Sequence, residues 1–311
     1  MIDDPAAGPV LSAGPPAAGG SAGALVRLCR PRQAAKNVVV LAAPACAGVL
    51  GSPGTLGRAL EAVALFAMVG AGTYALNDTV DRVADRAHPR KATRPIASGA
   101  LSVRTGYLTA GALLGASVGL ALLVTWRLAL VLGVYAVVQV AYTYRLKHLP
   151  VYDLAAVAFG FLLRAIAGGV ATGVALSQWF LLVATFGSLL MVTGKRLAEH
   201  AELGDGRGAH RATLDAYSTT FLRTAVAVAA SGSIVCYCLW AFDLQTAMRH
   251  HDDPIWFQLT IAPVALALLR YTLLVDLGRG ARPDELVLGD RQLQVLGVVW
   301  AALFALGVYV H

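Results

Sequence analysis

Charged residues are scarce in this sequence. Only 14% of its 311 residues are Asp, Glu, Lys or Arg, against 57% hydrophobic residues. Soluble domains carry about 25% charged residues, so an ordinary soluble protein and a disordered chain are both excluded. At about 20 apolar residues per crossing, and with a mean hydropathy of +0.65, the chain is long enough for about nine or ten crossings. The composition predicts an all-α, polytopic membrane protein.

Cysteine is sparse as well, with four residues in the whole chain. Three of them (Cys46, Cys236 and Cys238) lie within apolar runs, which excludes the disulfide framework of a small secreted protein. Residues 1–25 are rich in Ala, Gly, Pro and Ser, and they lack the basic segment and apolar core of a signal peptide. We expect residues 1–25 to form a flexible tail and residues 26–311 to form a single transmembrane domain.

Apolar runs follow one another along the rest of the chain and predict about nine transmembrane helices. The sequence does not fix the oligomeric state, and it is compatible with a homo-oligomer. The runs cover residues 37–52, 58–77, 105–125, 128–145, 151–173, 177–194, 221–242, 255–275 and 292–310.

Basic residues are distributed unequally between the two sides of these runs. With a cytoplasmic N-terminus, 20 of the 25 Lys and Arg residues fall in or beside cytoplasmic segments. Only Arg58, Arg127 and Arg249 fall outside, and Arg164 and Arg270 lie within apolar runs. This bias predicts a multi-pass protein of the cell inner (plasma) membrane with its N-terminus in the cytoplasm. The basic side would attract anionic membrane lipids. Nucleic acid is not an expected partner, because the basic residues are not interleaved with aromatic ones on a soluble domain.

The end of the second run carries an unusual group of polar residues. If that helix continues, Asn77, Asp78, Asp81 and Asp85 crowd one face, where like charges repel each other. Hard oxygen ligands without His or Cys suit Mg²⁺, which completes its shell with water and substrate phosphates. We therefore predict a metal site formed by these four residues. The alternative is a solvated helix end whose charges pair locally.

Basic residues follow this acidic motif and a later run. Arg90, Lys91 and Arg94 could clamp the phosphates of a metal-bound substrate. After the sixth run, Lys195 and Arg196 precede a carboxylate, Glu199, and these three are candidate substrate-binding residues. The alternative for Lys195 and Arg196 is an interfacial positive cluster. His200 and His210 have no zinc-like spacing, and we expect them to be solvated.

Further candidate substrate-binding residues lie at the ends of other runs. Lys36 and Lys147 could each reach a phosphate, although snorkelling explains Lys36 equally well. Tyr74 and Tyr144 are candidates too, with an aromatic belt as the alternative for Tyr144. Arg164 falls deep within an apolar run, where a charge is costly unless it faces a cavity or a partner. We predict that it contacts a substrate phosphate or supports Asp153 and the site.

The pattern Asn-Asp-x-x-Asp-x-x-x-Asp at the end of a second span resembles the UbiA superfamily of intramembrane prenyltransferases. Within it, the chain is similar to the branch, known from mycobacteria and their relatives, that acts on decaprenyl phosphate. The strings that carry the likeness are Arg30-Pro-Arg-Gln-Ala-Ala-Lys36-Asn37, residues 77–95, Tyr144-Arg-Leu-Lys147-His148, Leu163-Arg164-Ala-Ile-Ala-Gly168-Gly169-Val-Ala-Thr and Gly194-Lys195-Arg196-x-x-Glu199.

The resemblance implies transfer of 5-phosphoribose from phosphoribosyl diphosphate (PRPP) to decaprenyl phosphate, which yields diphosphate and a lipid precursor of cell-wall arabinan. It implies Mg²⁺ as cofactor and a catalytic role for Asp78, Asp81, Asp85 and Arg164. The prenyl-diphosphate users of the superfamily commonly carry a second acidic motif after the sixth span. Here Lys195 and Arg196 stand at that place, which favours direct cationic contacts to a phosphate.

Two other functions stay open at the level of sequence. A prenyltransferase that uses a prenyl diphosphate donor would be expected to have two acidic motifs, and only one strong motif is present. A transporter would be expected to show inverted repeats, interrupted helices and charges at the membrane midplane. No such repeat is evident, and the carboxylates lie at a membrane surface.

Overall fold

The computed structural model describes residues 21–89, 91–203, 212–247 and 255–309. Within these ranges the chain forms helices and no strand, as the composition predicts. The α-helices are α1 (Ser21–Cys29), α2 (Ala42–Cys46), α3 (Pro53–Val80), α4 (Arg82–Ala87), α5 (Val103–Val124), α6 (Trp126–Tyr144), α7 (Tyr152–Thr172), α8 (Gln178–Leu203), α9 (Ala212–Asp215), α10 (Thr219–Ala247), α11 (Trp256–Leu259), α12 (Ile261–Asp276), α13 (Pro283–Gly289) and α14 (Arg291–Tyr309).

Eight helical segments in the described part of the chain are long and apolar enough to cross a membrane. They are α3, α5, α6, α7, α8, α10, the joined α11 and α12, and α14. Large apolar side chains are exposed on their outer faces, for example Leu123 (82% exposed) and Val298 (69%). A lipid environment accounts for such exposure, because lipid tails are as apolar as these side chains. The molecule is a multi-pass membrane protein.

The first predicted span is not a continuous α-helix. Residues Pro31–Leu41 form a 3₁₀ helix, followed by the short helix α2 and a 3₁₀ turn at Val49–Gly51. Pro44 lacks a backbone N–H and interrupts regular helix pairing. This first passage begins beside Asp78, near the end of α3. It ends at Gly48, where an added Cβ would lie 2.6 Å from Val308 in the last turn of α14.

The first passage still runs from one end of the bundle to the other, because the 3₁₀ helix rises about 2.0 Å per residue rather than 1.5 Å. It packs against the backbone of α7 at Gly168, where an added Cβ would lie only 1.8 Å from the carbonyl oxygen of Val40. Over its described residues, the chain therefore traverses the bundle nine times. Eight traverses are long helices, and the first is this irregular segment.

Helix α1 crosses the predicted boundary between tail and domain. Ala24 and Leu28 are buried and belong to one apolar cluster with Leu76 and Ile96. The boundary predicted at residue 25 therefore falls inside a helix that packs on the end of α3. Residues 1–20, the rest of the predicted tail, lie outside the described residues.

Two apolar clusters hold the long helices together. One joins α3, α5, α6 and α7 around the fully buried Phe66 and Leu132. The other joins α7, α8, α10, α12 and α14 around Leu190, Leu222 and Leu274. Charged side chains gather at one end of the bundle, where α3, α6 and α8 end and α7 and α10 begin.

Candidate active site at one end of the helix bundle

The acidic motif occupies the junction between α3 and α4. Helix α3 ends at Val80, and Asp81 has φ −83° and ψ 5° before α4 begins. Helical pairing nevertheless continues across this junction. The N–H of Asp81 donates to the carbonyl of Asn77 over 2.9 Å, and the N–H of Asp85 donates to the carbonyl of Asp81 over 2.8 Å. The predicted continuation of the helix is therefore nearly correct.

Asp78 and Asp85 converge on a single cationic atom. Nη1 of Arg94 donates to Oδ1 of Asp78 over 3.1 Å and to Oδ2 of Asp85 over 2.7 Å. Both carboxylates are buried, whereas the Arg94 side chain is about a quarter exposed. The structure thus brings together two predicted metal ligands and one predicted phosphate-binding residue.

Arg30 is a site residue that the sequence analysis did not select. Its Nη2 donates to Oδ1 of Asp78 over 2.5 Å, and its guanidinium lies 5.1 Å from the ring centroid of Tyr74. Its backbone has φ 50° and ψ 62°, a left-handed conformation unusual for a residue other than glycine. The only signal in the sequence was its place at the start of the string from residue 30 to 37.

Asp81 has a different partner. Its Oδ1 accepts a hydrogen bond from Nζ of Lys147, which lies in the short connection between α6 and α7. Lys147 is therefore brought to the acidic motif from 66 positions along the chain. The half-buried Lys91 lies in the loop after α4, where its N–H donates to the carbonyl of His88. Arg90 lies outside the described residues.

The donor chemistry of the motif suits Mg²⁺ bound together with a substrate. Within the residues that the structure describes, no three His, Cys, Asp or Glu side chains gather closely enough to hold a metal by themselves. Mg²⁺ commonly uses one or two carboxylates and completes its shell with water and substrate phosphates. The convergent oxygens of Asp78 and Asp85 fit that arrangement. Asn77 and Asp81 lie within one helical turn of Asp78. Their ligation of a metal stays a prediction.

A second charged network centres on Asp153, in the first turn of α7. This carboxylate is fully buried. It accepts hydrogen bonds from the hydroxyl of Tyr217 (2.5 Å), the hydroxyl of Thr213 (3.3 Å) and Nε of Arg196 (3.4 Å). A buried carboxylate requires such donors. The partner of Asp153 is therefore Arg196, and the suggestion that Arg164 supports Asp153 is wrong.

Tyr217 links this network to the connection that carries Lys147. Its hydroxyl accepts a hydrogen bond from the N–H of Val151 over 2.5 Å, and Val151 has an unfavourable φ of 70°. Burial and the hydrogen bond to Asp153 raise the pKa of Tyr217 well above its ordinary value. The carbonyl of Tyr217 contacts Nε2 of His200 at 2.9 Å. His200 is buried, so the expectation that it is solvated is wrong, and His210 lies outside the described residues.

The segment after the middle of α8 divides its charges between interior and surface. Arg196 is buried, and its Nη1 donates to Oε2 of Glu199 over 2.7 Å. Lys195 is 46% exposed, and its Nζ lies 3.7 Å from Oε1 of Glu199. Asp153, the partner of Arg196, lies in the first turn of α7, directly after the short connection that carries Lys147, the partner of Asp81. The two charged networks are therefore neighbours.

Arg164 is buried in a cage of protein groups. Nε donates to Oδ1 of Asn37 (2.8 Å), Nη1 to the carbonyl of Gly160 (2.8 Å) and Nη2 to the hydroxyl of Tyr135 (3.1 Å). Three aromatic rings lie 5.0–5.4 Å from its guanidinium carbon, those of Phe66, Tyr135 and Phe161. In the described part of the chain, no ion pair joins Arg164 to a carboxylate. These contacts anchor the first passage to α7, and a contact with substrate stays a prediction.

Lys36 and Tyr144 are predicted site residues that, like Lys195, have exposed side chains. Lys36 is exposed on the 3₁₀ helix, one position before Asn37. Tyr144, at the end of α6, is 54% exposed. Its exposure is typical of an aromatic belt, and a contact of Tyr144 with substrate stays a prediction.

Comparison with known proteins gives a consistent result. Residues 38–291 match the model of the UbiA prenyltransferase family. A decaprenyl-phosphate phosphoribosyltransferase of Corynebacterium glutamicum is 44% identical over 92% of this chain and 87% of its own length. One of Mycolicibacterium smegmatis is 41% identical over 92% of both chains. A UbiA homolog from Archaeoglobus fulgidus, solved bound to DMAPP and Mg²⁺, shares the fold with a TM-score of 0.66, at 19% identity over 92% of this chain and 99% of its own. The chain belongs to the UbiA prenyltransferase family.

Proposed function

We propose that this protein transfers 5-phosphoribose from PRPP to decaprenyl phosphate and releases diphosphate. The observation that carries the proposal is the agreement between the relatives and the site. Two relatives that share more than 40% identity over nearly the whole chain bear the name of this activity. The charged end of the bundle combines carboxylates with several cations, which suits a soluble donor with many negative charges.

The donor diphosphate is assigned to the acidic motif. Mg²⁺ bound by Asp78 and Asp85, with Asn77 and Asp81 beside them, would offset the charge that develops on the departing diphosphate. Arg30, Arg94 and Lys147 now neutralise these carboxylates. Once a cation occupies the carboxylates, the same three side chains are free to donate to phosphate oxygens. Lys91, in the loop after α4, is one further residue that we assign to the phosphates of PRPP.

The acceptor needs positioning more than activation. The phosphate of decaprenyl phosphate is already an anionic nucleophile, so a strong general base is unnecessary. The site must hold two mutually repelling anions in line, with the lipid phosphate on the side of the ribose opposite the diphosphate. Lys36 and Lys195 are exposed cations that could hold the lipid phosphate. The apolar outer faces of the bundle allow the decaprenyl chain to remain in the bilayer.

We assign the charged end of the bundle to the cytoplasm and the protein to the cell inner (plasma) membrane. The excess of Lys and Arg at this end supports the assignment. PRPP is a soluble anion that does not cross a bilayer, so the site must face the compartment that supplies it. The irregular first passage places the N-terminal helix α1 at the same end.

The test is a comparison of donors with purified protein and Mg²⁺. Ribose-labelled PRPP and decaprenyl phosphate should give label in the lipid phase, and EDTA should abolish it. Asp81→Asn should lower the rate by at least about a hundredfold. The matched control is Asp276→Asn, which removes an exposed carboxylate paired with Arg223 and should leave the rate unchanged. No lipid label, together with turnover of a prenyl diphosphate, would overturn the proposal in favour of a prenyltransferase.

A further inference from the structure

Glu199 adds a negative charge to a site whose proposed substrates, PRPP and decaprenyl phosphate, are both anions. It is about a quarter exposed, whereas Asp153, the other carboxylate of the second network, is fully buried. A bare carboxylate beside a phosphorylated donor would repel it. Glu199 therefore needs either a purely structural role or a substrate group that a carboxylate can bind.

The charge of Glu199 is already compensated by its neighbours. Arg196 donates to Oε2 over 2.7 Å, and the ammonium of Lys195 lies 3.7 Å from Oε1. Arg196 is in turn fixed from behind by Asp153 over 3.4 Å. Because a carboxylate offers about four lone-pair sites, Glu199 retains capacity to accept hydrogen bonds without presenting a net negative charge.

Glu199 and the acidic motif are both tied to the short stretch of chain from Lys147 to Asp153. Arg196, which binds Glu199 over 2.7 Å, contacts Asp153 in the first turn of α7, and Lys147, at the other end of this stretch, binds Asp81. A donor whose diphosphate is held at the acidic motif would therefore extend its sugar toward Glu199. The ribose of PRPP presents two hydroxyl groups there, and a carboxylate accepting from a ribose hydroxyl is a recurrent mode of sugar recognition.

We propose that Glu199 binds a ribose hydroxyl of the donor and selects a ribosyl donor over a deoxyribosyl one. This inference rests on the proposed function, because it takes PRPP as the donor. Arg196 acts as a positioning residue that keeps Glu199 oriented, and the nearby charge of Lys195 helps to compensate the carboxylate. A site built to bind a hydroxyl rejects an analogue that lacks it, because its own polar group is then left without a partner.

The test compares PRPP with its 2-deoxy and 3-deoxy analogues in the wild type and in Glu199→Gln and Glu199→Ala. The wild type should prefer PRPP over at least one analogue by about tenfold to a hundredfold in kcat/KM, the effect of one hydrogen bond to a charged group. In Glu199→Ala this ratio should fall close to one, and Glu199→Gln should give an intermediate ratio, because a neutral acceptor binds more weakly. Glu285→Gln is the matched control, since Glu285 pairs with Arg282 at the same three-residue spacing but is exposed.

The outcomes separate a binding role from a structural one. If Glu199 only balances Arg196, its variants will lower kcat/KM for all three donors by the same factor, and the unchanged ratio overturns the proposal. A wild type that uses PRPP but does not discriminate between the donors also overturns it. A wild type that does not use PRPP at all contradicts the proposed function instead. Inhibition by magnesium diphosphate should be the same in the wild type and in Glu199→Gln, which serves as a check that the variant retains the acidic motif.

Discussion

Arg30 and Asp78 form an ion pair over 2.5 Å although 48 positions separate them. The pair joins the start of the irregular first passage to the last turns of α3. It holds the acidic motif against a cation whose backbone is left-handed. The site is therefore assembled from the ends of different passages, and the three aspartates of the acidic motif are paired with cations from outside the motif.

Two substitutions of Arg30 can separate the effect of its left-handed backbone conformation from the effect of its guanidinium group. Arg30→Ala and Arg30→Gly both remove the guanidinium, and both should raise KM for PRPP by about tenfold or more. The left-handed conformation costs a residue with a Cβ about 1–2 kcal/mol, and glycine adopts it freely. Arg30→Gly should therefore unfold at a higher temperature than Arg30→Ala in a detergent thermal-shift assay. Equal melting temperatures would show that the conformation is unimportant for stability.

Arg94 should compete with a divalent cation for Asp78 and Asp85. Its Nη1 lies between the two carboxylates, so Arg94→Gln leaves Asp85 without its cation and Asp78 with Arg30 alone. The variant should have a lower melting temperature without divalent ions. It should also gain more stability from added Mg²⁺ than the wild type, because its carboxylates are open to the ion.

The readout is the Mg²⁺ dependence of the melting temperature in the absence of donor. Arg282→Gln, which removes an exposed arginine paired with Glu285, provides the control. An Arg94→Gln variant with the same Mg²⁺ response as the control would speak against a metal site between Asp78 and Asp85.

Arg164 and Asn37 should act as a unit. Arg164 donates to Asn37 over 2.8 Å in a buried environment, so removal of either partner leaves a buried polar group unsatisfied. A double-mutant cycle with Arg164→Met and Asn37→Leu should show a coupling free energy of about 1–3 kcal/mol in stability. Additive effects on stability, with activity lost only in Arg164→Met, would instead indicate that Arg164 contacts the substrate.

Tyr217 should stabilise the protein through its neutral hydroxyl. Its pKa is raised in the folded state by burial and by the hydrogen bond to Asp153, so the stabilisation is complete below the unfolded value of about 10. It is lost as the pH rises from there through the folded pKa. Tyr217→Phe should lower the melting temperature by a constant amount at neutral pH, and the difference from wild type should shrink above pH 10. A difference that grows with pH would contradict this assignment.

Sequence patterns were sufficient for features that depend on local composition. The apolar runs located the long helices, and the spacing of Asn77, Asp78, Asp81 and Asp85 located the acidic motif. The irregular first passage was not predictable, because its path depends on a backbone contact between Val40 and Gly168.

The hydrogen-bond and ion-pair partners of the site carboxylates could not be predicted from the sequence. Arg30, Thr213 and Tyr217 have no local pattern that marks them, and each is brought to its carboxylate from at least 48 positions away. Lys195 and Arg196 are adjacent cations in the sequence. Helical geometry turns Arg196 inward to Asp153 and Lys195 outward, so the two take different roles.

The most direct measurement of the central claim follows two labels in one donor. PRPP labelled in the ribose and in the β-phosphate is incubated with purified protein, Mg²⁺ and decaprenyl phosphate. We predict that the ribose label enters the lipid phase while an equal amount of β-phosphate label appears as aqueous diphosphate. Both labels entering the lipid phase, or both remaining in the aqueous phase with active protein, would contradict the account.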